Sequence, residues 1–386
     1  MRIEHVEIWP VRVAYRHAEV SSLVARDGVT DVIVKVIADN GLVGWGECTR
    51  AADAGGIASA VEAMRPIVLK RDPFDMDAIA RDVFVAGGWQ FQPMTGNFAF
   101  AGIDMALWDL CAKACGQPLY RLFGGAVRDE VDYFYYLRWG TPEDLEEQCR
   151  DGVERGYAVF YLKVGVEAEA EEAMLAAVRR TIGAKRKIRI DANQAWTVPE
   201  AARLLADWHR KFDLDFVEAP VPIEPTELML DLKRRVGVPL CVNEGLWREA
   251  DAYRIIDSRC GDYLCFSSYW VGSLRRFQSL AHAARANGWQ VCKHTHGELG
   301  LAAAAGQHLM LTMLNACDGH QQTAQFMEGD ILTEPLPITT GPRWGRIDAP
   351  GLGVEVDEAK LARYHRDYLD HGEFPPYGDK FPLHGS

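Results

Sequence analysis

Four segments in the middle of this chain read as short apolar strands, and each runs into a polar residue: Lys163 in FYLKVG, Asp191 in IRIDANQAW, Glu218 in DFVEAPVP and Glu244 in LCVNEGLW. The three acids are 27 and 26 residues apart. That spacing is close to one strand-plus-helix repeat of an eight-fold α/β barrel, which takes roughly 250 residues. Successive parallel strands of such a barrel would deliver all three carboxylates and the amine to one end.

The alternation extends well beyond these four segments. From Val131 onward the strands YAVFYLKVGV, KIRIDANQAW, LDFVEAPVP and VPLCVNEGLW are followed by AEAEEAMLAAVRRTIG, VPEAARLLADWHRKF, PTELMLDLKRRVG and READAYRIIDSRC, which carry helical spacing. DYLCFSSYW, WQVCKHTH and TAQFMEG are three further candidate strands, with helices LRRFQSLAHAARANG and LAAAAGQHLMLTMLNA after the first two. Apolar strands interleaved with amphipathic helices predict an α/β fold, a parallel sheet covered by helices, and this many units predict closure into a barrel.

The part before residue 127 reads differently. RIEHVEIWPVRV and TDVIVKVIADNGLVGWGE alternate as antiparallel strands, with Asp39-Asn40-Gly41 as a hairpin turn. Helical patterns GGIASAVEAMRPIVL, DPFDMDAIARDVF and FAFAGIDMALWDLCAKACG follow, the last stopped by Gly116 and Pro118. The expected organisation is an α+β capping domain over residues 1–127, a barrel over 128–350, and a segment over 351–386 that packs back on the first domain. That last segment is rich in Pro, Gly and Tyr and shows no repeat of its own.

Composition narrows the partners. A net charge of −13 without a basic stripe disfavours nucleic acid, and no apolar run approaches the roughly 20 residues that span a bilayer. The N-terminus MRIEHVEIWPVRV carries charges inside its apolar stretch and reads as a strand, so a cytoplasmic location is expected. Nine cysteines without a CxxC pair, among them Cys111, Cys115, Cys265 and Cys292, read as core residues and not as a disulfide framework or zinc site. An anionic substrate would have to be held by local cations.

Asp191, Glu218 and Glu244 are hard oxygen donors, for which magnesium is the natural ion and manganese the runner-up. One acid at a strand end is more often a helix cap or a surface charge, but three at repeat spacing point to a cation. Lys163, facing such an ion, becomes a candidate general base.

Lys163-Val164-Gly165, Asp191-Ala192-Asn193-Gln194-Ala195-Trp196, Glu218-Ala219-Pro220 and Asn243-Glu244 resemble the barrel motifs of the enolase superfamily, in its mandelate racemase and muconate lactonizing enzyme branch. Gly102-Ile103-Asp104-Met105-Ala106-Leu107-Trp108-Asp109, with Lys113, Gly116, Pro118 and Leu122-Phe123-Gly124-Gly125, resembles that family's passage into the barrel. Pro350-Gly351-Leu352-Gly353-Val354-Glu355 resembles its exit, so the likeness covers nearly the whole chain. It implies a cap built from both chain ends, a (β/α)7β barrel, and magnesium held by Asp191, Glu218 and Glu244. The implied chemistry is removal of a proton α to a carboxylate through a metal-stabilised enediolate. An even-numbered homo-oligomer is also a family-level expectation.

Departures from the pattern shape the reaction expected. Tyr161-Leu162-Lys163 stands where the family usually has Lys-x-Lys, so the base is kept and Tyr161 becomes either a hydrogen-bonding or acidic group or an aromatic filling a barrel layer. Ser267 occupies the position of a second lysine in muconate lactonizing enzymes and dipeptide epimerases, and of a histidine-orienting aspartate in the mandelate racemase subgroup. His294 and His296 alternate on one strand, and either fits the subgroup's histidine. The resulting expectation is an acid-sugar dehydratase with Lys163 as base and His294 or His296 as acid. Racemisation, cycloisomerisation and a metal-binding pseudoenzyme are the alternatives. Candidate substrate contacts are Arg16, His17 and Arg50 from the cap, Arg138 and Trp139 after the first barrel strand, Asn193 beside Asp191, and Glu328 in the last candidate strand.

Overall fold

The computed structural model describes residues 1–49, 53–87 and 93–375. Its first unit is a three-stranded antiparallel sheet in chain order, Ile3–Val20, Ala25–Ala38 and Val43–Cys48. The hairpin falls where Asp39-Asn40-Gly41 predicts it: Gly41 adopts φ +82° and donates to Ala38 O at 2.9 Å, while Asn40 Oδ1 accepts from Leu42 N at 3.2 Å. Helices Ala54–Val68, Met76–Gly87 and Pro93–Ala114 follow.

The third of these helices lies almost on the backbone of the Val43–Cys48 strand. A Cβ on Gly44 would sit 2.0 Å from Ala106 O, and one on Gly46 would sit 2.0 Å from Gly102 O, so only glycine permits the approach. Asp109 then ties its helix to two distant pieces: Oδ2 accepts from Trp45 N at 2.9 Å, and from Lys113 Nζ one helical turn on at 2.6 Å, and Oδ1 accepts from Leu352 N at 2.8 Å. Asp104 Oδ2 accepts from Leu274 N, at the start of a barrel helix, at 2.8 Å. The motifs on either side of the barrel are therefore the joints that hold cap and barrel together. The C-terminal segment, which shows no repeat of its own, forms the helix Glu358–His371 against the first cap strand, with Arg12 paired to Asp367 at 3.1 Å and the His365 ring edge-on to Trp9 at 5.3 Å.

Seven parallel strands follow in sequence order around a curled sheet: Tyr135–Leu137, Val159–Lys163, Lys187–Asp191, Leu214–Glu218, Leu240–Val242, Tyr263–Phe266 and Gln290–Lys293. The gap between first and last is filled by the chain around residues 316–320. Cys317 N donates to Val291 O at 3.0 Å on one side, and Phe134 N to His320 O at 3.0 Å on the other, with parallel bridges at Val291–Ala316 and Tyr133–His320. The eighth position is thus earlier than TAQFMEG, which was expected as a strand. That segment forms a turn, with Phe326 N on Thr323 O at 2.8 Å. It pairs with the first cap strand and not with the barrel: Arg16 N donates to Phe326 O at 2.8 Å and Glu328 N to Ala14 O at 3.0 Å, while the Phe326 ring lies 4.7 Å from that of Tyr136 and 6.0 Å from that of Tyr15.

Eight of the nine cysteines are buried; Cys115, beyond the end of its helix, is exposed. Cys241, Cys265, Cys292 and Cys317 form a small cluster with Phe216 inside the barrel. Cys292, Cys317 and His320 bring their ligand atoms within 4.8 Å of one another. His320 Nδ1, however, accepts the Lys293 amide at 2.9 Å, which keeps the ring proton on Nε2 and opposes ligation there. Among the described residues no helix is long and apolar enough to cross a membrane.

Candidate active site

Strand register assembles the site. Lys163 is the Cα partner of Asp191, and Asp191 is the partner of Glu218, so three adjacent parallel strands end in a row of these side chains. Glu244 follows two residues after the next strand, Leu240–Val242. Asn193, Gln194 and Ala219 adopt positive φ of 46°, 65° and 40°, conformations that cost energy in non-glycine residues and here re-aim the chain at the strand ends. Asn193 N donates to Asp191 Oδ1 at 2.7 Å, and Gln194 N to Ala219 O at 2.7 Å, which holds these turns.

The row is densely bonded. Asp191 Oδ2 accepts from Lys163 Nζ at 2.5 Å, from Tyr161 OH at 2.8 Å and from Asn193 Nδ2 at 3.1 Å. Glu218 Oε2 accepts from Gln321 Nε2 at 2.6 Å and Tyr161 OH at 3.5 Å, while Glu218 Oε1 is enclosed with no partner. Burial, then the charge of Asp191, pushes the Glu218 carboxyl well above the ordinary range, and the same two causes push Glu244 up to about 8. Burial pulls Lys163 down, but Asp191, Glu218 and Glu19 outweigh it and hold the ammonium above its usual value. Three converging carboxyls, two of them starved of positive charge and one with an orphaned oxygen, are an oxygen donor set suited to a hard divalent cation.

Tyr161 resolves into a specific arrangement. Its ring stacks on Phe134 at 4.5 Å and 13°, as a barrel-layer aromatic would. Its hydroxyl is spent on Asp191 and Glu218, and burial and those carboxylates push its pKa far up. It is built to hold the two acids in place as a donor.

Across a cavity of about 400 Å³ stand His294 and His296. His294 is buried against Trp270, with ring centroids 4.8 Å apart, and His296 lies 5.6 Å from the same indole. Lys163, Asn193 and Glu244 line this cavity as well. The cap closes it with Glu19, Leu23, Val24 and Arg26, from the first two strands and the turn between them. Glu19 Oε1 accepts from Tyr136 OH at 2.7 Å, and Oε2 accepts from Arg26 Nε at 2.9 Å, so this acid and base neutralise each other in the wall.

Five expected substrate contacts stand elsewhere. Arg16 and Glu328 line a separate cavity of about 230 Å³ beside the C-terminal segment, because the strand leaving Tyr15 pairs with Met327 and turns both residues away from the barrel mouth. His17, Arg138 and Trp139 line an outer groove, where Gln148 Oε1 takes the Arg138 amide at 2.7 Å. Arg50 falls outside the described residues. Glu19, Arg26, Tyr136, Trp270 and Gln321 were missed. A buried Glu–Arg pair across a strand turn leaves no periodic signal, and Gln321 was hidden by the misplaced eighth strand.

Cap, barrel and strand-end carboxylates together define a capped α/β-barrel enzyme. Residues 5–124 match the mandelate racemase / muconate lactonizing enzyme N-terminal domain, and residues 144–360 match the enolase C-terminal domain-like family. The chain belongs to this branch of the enolase superfamily. It is similar to an N-succinyl-L-Arg/Lys racemase of Bacillus cereus, 24% identical over 94% of this chain and 97% of that one. It is also similar to a D-galactonate dehydratase family member of Streptomyces bingchenggensis, 28% identical over 89% and 92%. Among solved structures, an enolase from Streptomyces coelicolor superposes with a TM-score of 0.87 at 30% identity, covering 97% of this chain and 99% of that one.

Proposed function

We propose that this enzyme uses magnesium, held by Asp191, Glu218 and Glu244, to remove the proton α to a substrate carboxylate, and that the net reaction dehydrates an acid sugar to a 2-keto-3-deoxy acid. The observation that carries the reading is the in-register row of Lys163, Asp191 and Glu218, from which Lys163, with Glu244 beyond the next strand, lines a cavity shared with two histidines. When bound, magnesium supplies fixed positive charge where the carboxylate gains negative charge as its α-proton leaves. Lys163 Nζ takes that proton as the neutral amine, a form that a cation among the carboxylates would favour by offsetting the negative charge that otherwise holds the ammonium. His294 or His296 gives a proton to the β-hydroxyl as the C–O bond breaks, and water departs. Tyr161 and Asn193 position Asp191 throughout.

The wall nearest the cap favours an aldonic over an aldaric acid. A second substrate carboxylate would meet Arg26 already neutralised by Glu19, beside the apolar side chains of Leu23, Val24 and Met94. Racemisation is the second reading, supported by the name of the Bacillus cereus relative, and it requires a base on the histidine side.

Proton NMR in D2O with magnesium, against a panel of aldonic, aldaric and small 2-hydroxy acids, tests the proposal. Loss of the α-proton signal with a keto-deoxy product is the expected result. Exchange with inversion and no water loss would make the protein a racemase, and ring formation a cycloisomerase. Ligand binding that persists without any exchange would make it a binding protein.

A further inference from the structure

The histidine wall differs from a carboxylate-supported dyad in a way that sets which ring nitrogen carries the proton. Phe266 and Lys293 are Cα partners, and His294 N donates to Phe266 O at 3.0 Å, which places Ser267 beside His294. Ser267 does not reach the ring. Its Oγ accepts from Trp270 N at 3.3 Å and caps the short helix Ser268–Val271. His294 is 6% exposed, and its Nδ1 is enclosed with no hydrogen-bond partner.

Packing holds the imidazole instead. Trp270 lies 4.8 Å from it at 48° and is itself fixed: its Nε1 donates to Asn243 O at 3.2 Å, and its carbonyl accepts from Asn97 Nδ2, on a cap helix, at 3.0 Å. The Trp247 ring backs it at 4.4 Å. Burial lowers the His294 pKa well below the ordinary value, helped by His296, Lys163, Lys293 and Arg26, so the ring is neutral near pH 7.

A neutral ring has one proton to place. On Nδ1 it would be a buried donor without an acceptor, whereas a bare, enclosed Nδ1 forfeits only an acceptor bond, the better tolerated of the two defects. Nε2 is the remaining nitrogen of a ring that lines the cavity. We infer that His294 is held as the neutral Nε2–H tautomer by Trp270 and by the absence of a carboxylate at Ser267, and so presents a hydrogen-bond donor, not a base, to the substrate.

This rests on the proposed α-proton chemistry and divides the labour within it. Lys163 is then the single base, and activation is confined to the substrate face it occupies. A neutral imidazole donates a hydrogen bond but does not give up its proton readily, so His296 delivers the proton that leaves with the β-hydroxyl as water. Lys163 retains the α-proton as ammonium, the C–H pair forms the C=C bond, and the C–O pair leaves with oxygen. A racemase would need an Nδ1–H tautomer with a bare Nε2, which the arrangement around Ser267 withholds.

Two measurements on the intact protein decide it. Long-range proton–nitrogen correlation of nitrogen-15 histidine protein, assigned with His294→Asn, should show a protonated Nε2 and a bare Nδ1 for His294 across neutral pH; Nδ1–H or a persistent imidazolium overturns the inference. This readout needs no substrate, so it stands even if the proposed chemistry fails. With an active acid in D2O, α-proton exchange should favour one configuration by about a hundredfold or more, the usual worth of a positioned base. Comparable exchange of both configurations overturns the inference while leaving α-proton chemistry intact. Ser267→Asp should shift the proton to Nδ1 and raise exchange of the disfavoured configuration, whereas Ser267→Ala should do neither.

Discussion

The two walls of the central cavity are built on opposite principles. On one, Lys163, Tyr161, Asn193 and Gln321 converge on Asp191 and Glu218 in a hydrogen-bonded network of charged and polar groups that leaves Glu218 Oε1 open. On the other, His294 and His296 sit among Trp270 and Phe98, held by ring contacts at 4.8 to 6.1 Å, with a ring nitrogen left unpaired. The first wall is specified by charge and the second by shape. Charge should therefore govern cation binding and pH response on the first, while volume should govern the second.

The sharpest break of the comparison is chemical. Lys163→Ala should lower α-proton exchange by about 10²–10⁴, the contribution of a general base, while His294→Asn should cost less if that ring only donates a hydrogen bond. Exchange rates in D2O read both variants. Equal losses would erase the asymmetry between the walls.

On the packed wall, Trp270→Ala removes a 4%-exposed indole that supports His294, and should cost about 3 kcal/mol or more in denaturant unfolding, as large-to-small aromatic changes in cores do. Trp270→Phe should recover much of that loss. The same truncation has no counterpart on the charged wall, where Tyr161→Phe keeps the stack on Phe134 and removes only the hydroxyl bonds to Asp191 and Glu218.

The difference between the walls also explains how much was legible in the sequence. Lys163, Asp191, Glu218 and Glu244 announce themselves because parallel strands repeat at a fixed length and polar residues at their ends break an apolar pattern. Asp109 and the Pro350-Gly351-Leu352 segment could be recognised as motifs, but their meeting through the Leu352 amide required the fold. Trp270 reads in sequence as one more apolar residue after a strand, and only packing shows that its ring lies 4.8 Å from that of His294. The cap misled for a related reason. Arg16, His17 and Arg138 carry the right charge, yet which face of a long strand or loop turns toward the barrel depends on pairings such as Tyr15 with Met327. Glu19 and Arg26, the charged pair that does reach the cavity, cancel each other and leave no imbalance to notice.

Magnesium sharpens the contrast next. Titrated into the metal-free protein, it should raise the unfolding temperature, because an ion that binds only the folded state stabilises it by about 2.7 kcal/mol at a hundred times its dissociation constant. Glu218→Gln should abolish most of that response without unfolding the metal-free protein, since it removes a carboxylate whose charge is already disfavoured there. Trp270→Phe should leave the magnesium response unchanged. A shift that survives Glu218→Gln would place the ion elsewhere.

The smallest expected effect is a slope with pH. In the metal-free protein Glu244 is pushed up to about 8 by burial and by Asp191, against about 4.3 for an unperturbed glutamate. Between those values the folded state binds a proton that the unfolded state has released. Stability is therefore fully present below the lower value and falls as pH rises toward the higher one. Melting in EDTA should show a declining transition temperature from about pH 5 to pH 8.5, and Glu244→Gln should lessen the decline, leaving the part carried by Glu218. Saturating magnesium should flatten it too, because a cation among the carboxylates stabilises their charged forms. His294 titrates in the opposite sense: its lowered pKa makes protonation destabilising only as pH falls below the unfolded histidine value near 6.5. Above neutrality the histidine wall should be silent and the carboxylate wall alone should respond; a decline unaffected by both magnesium and Glu244→Gln would assign it to other groups.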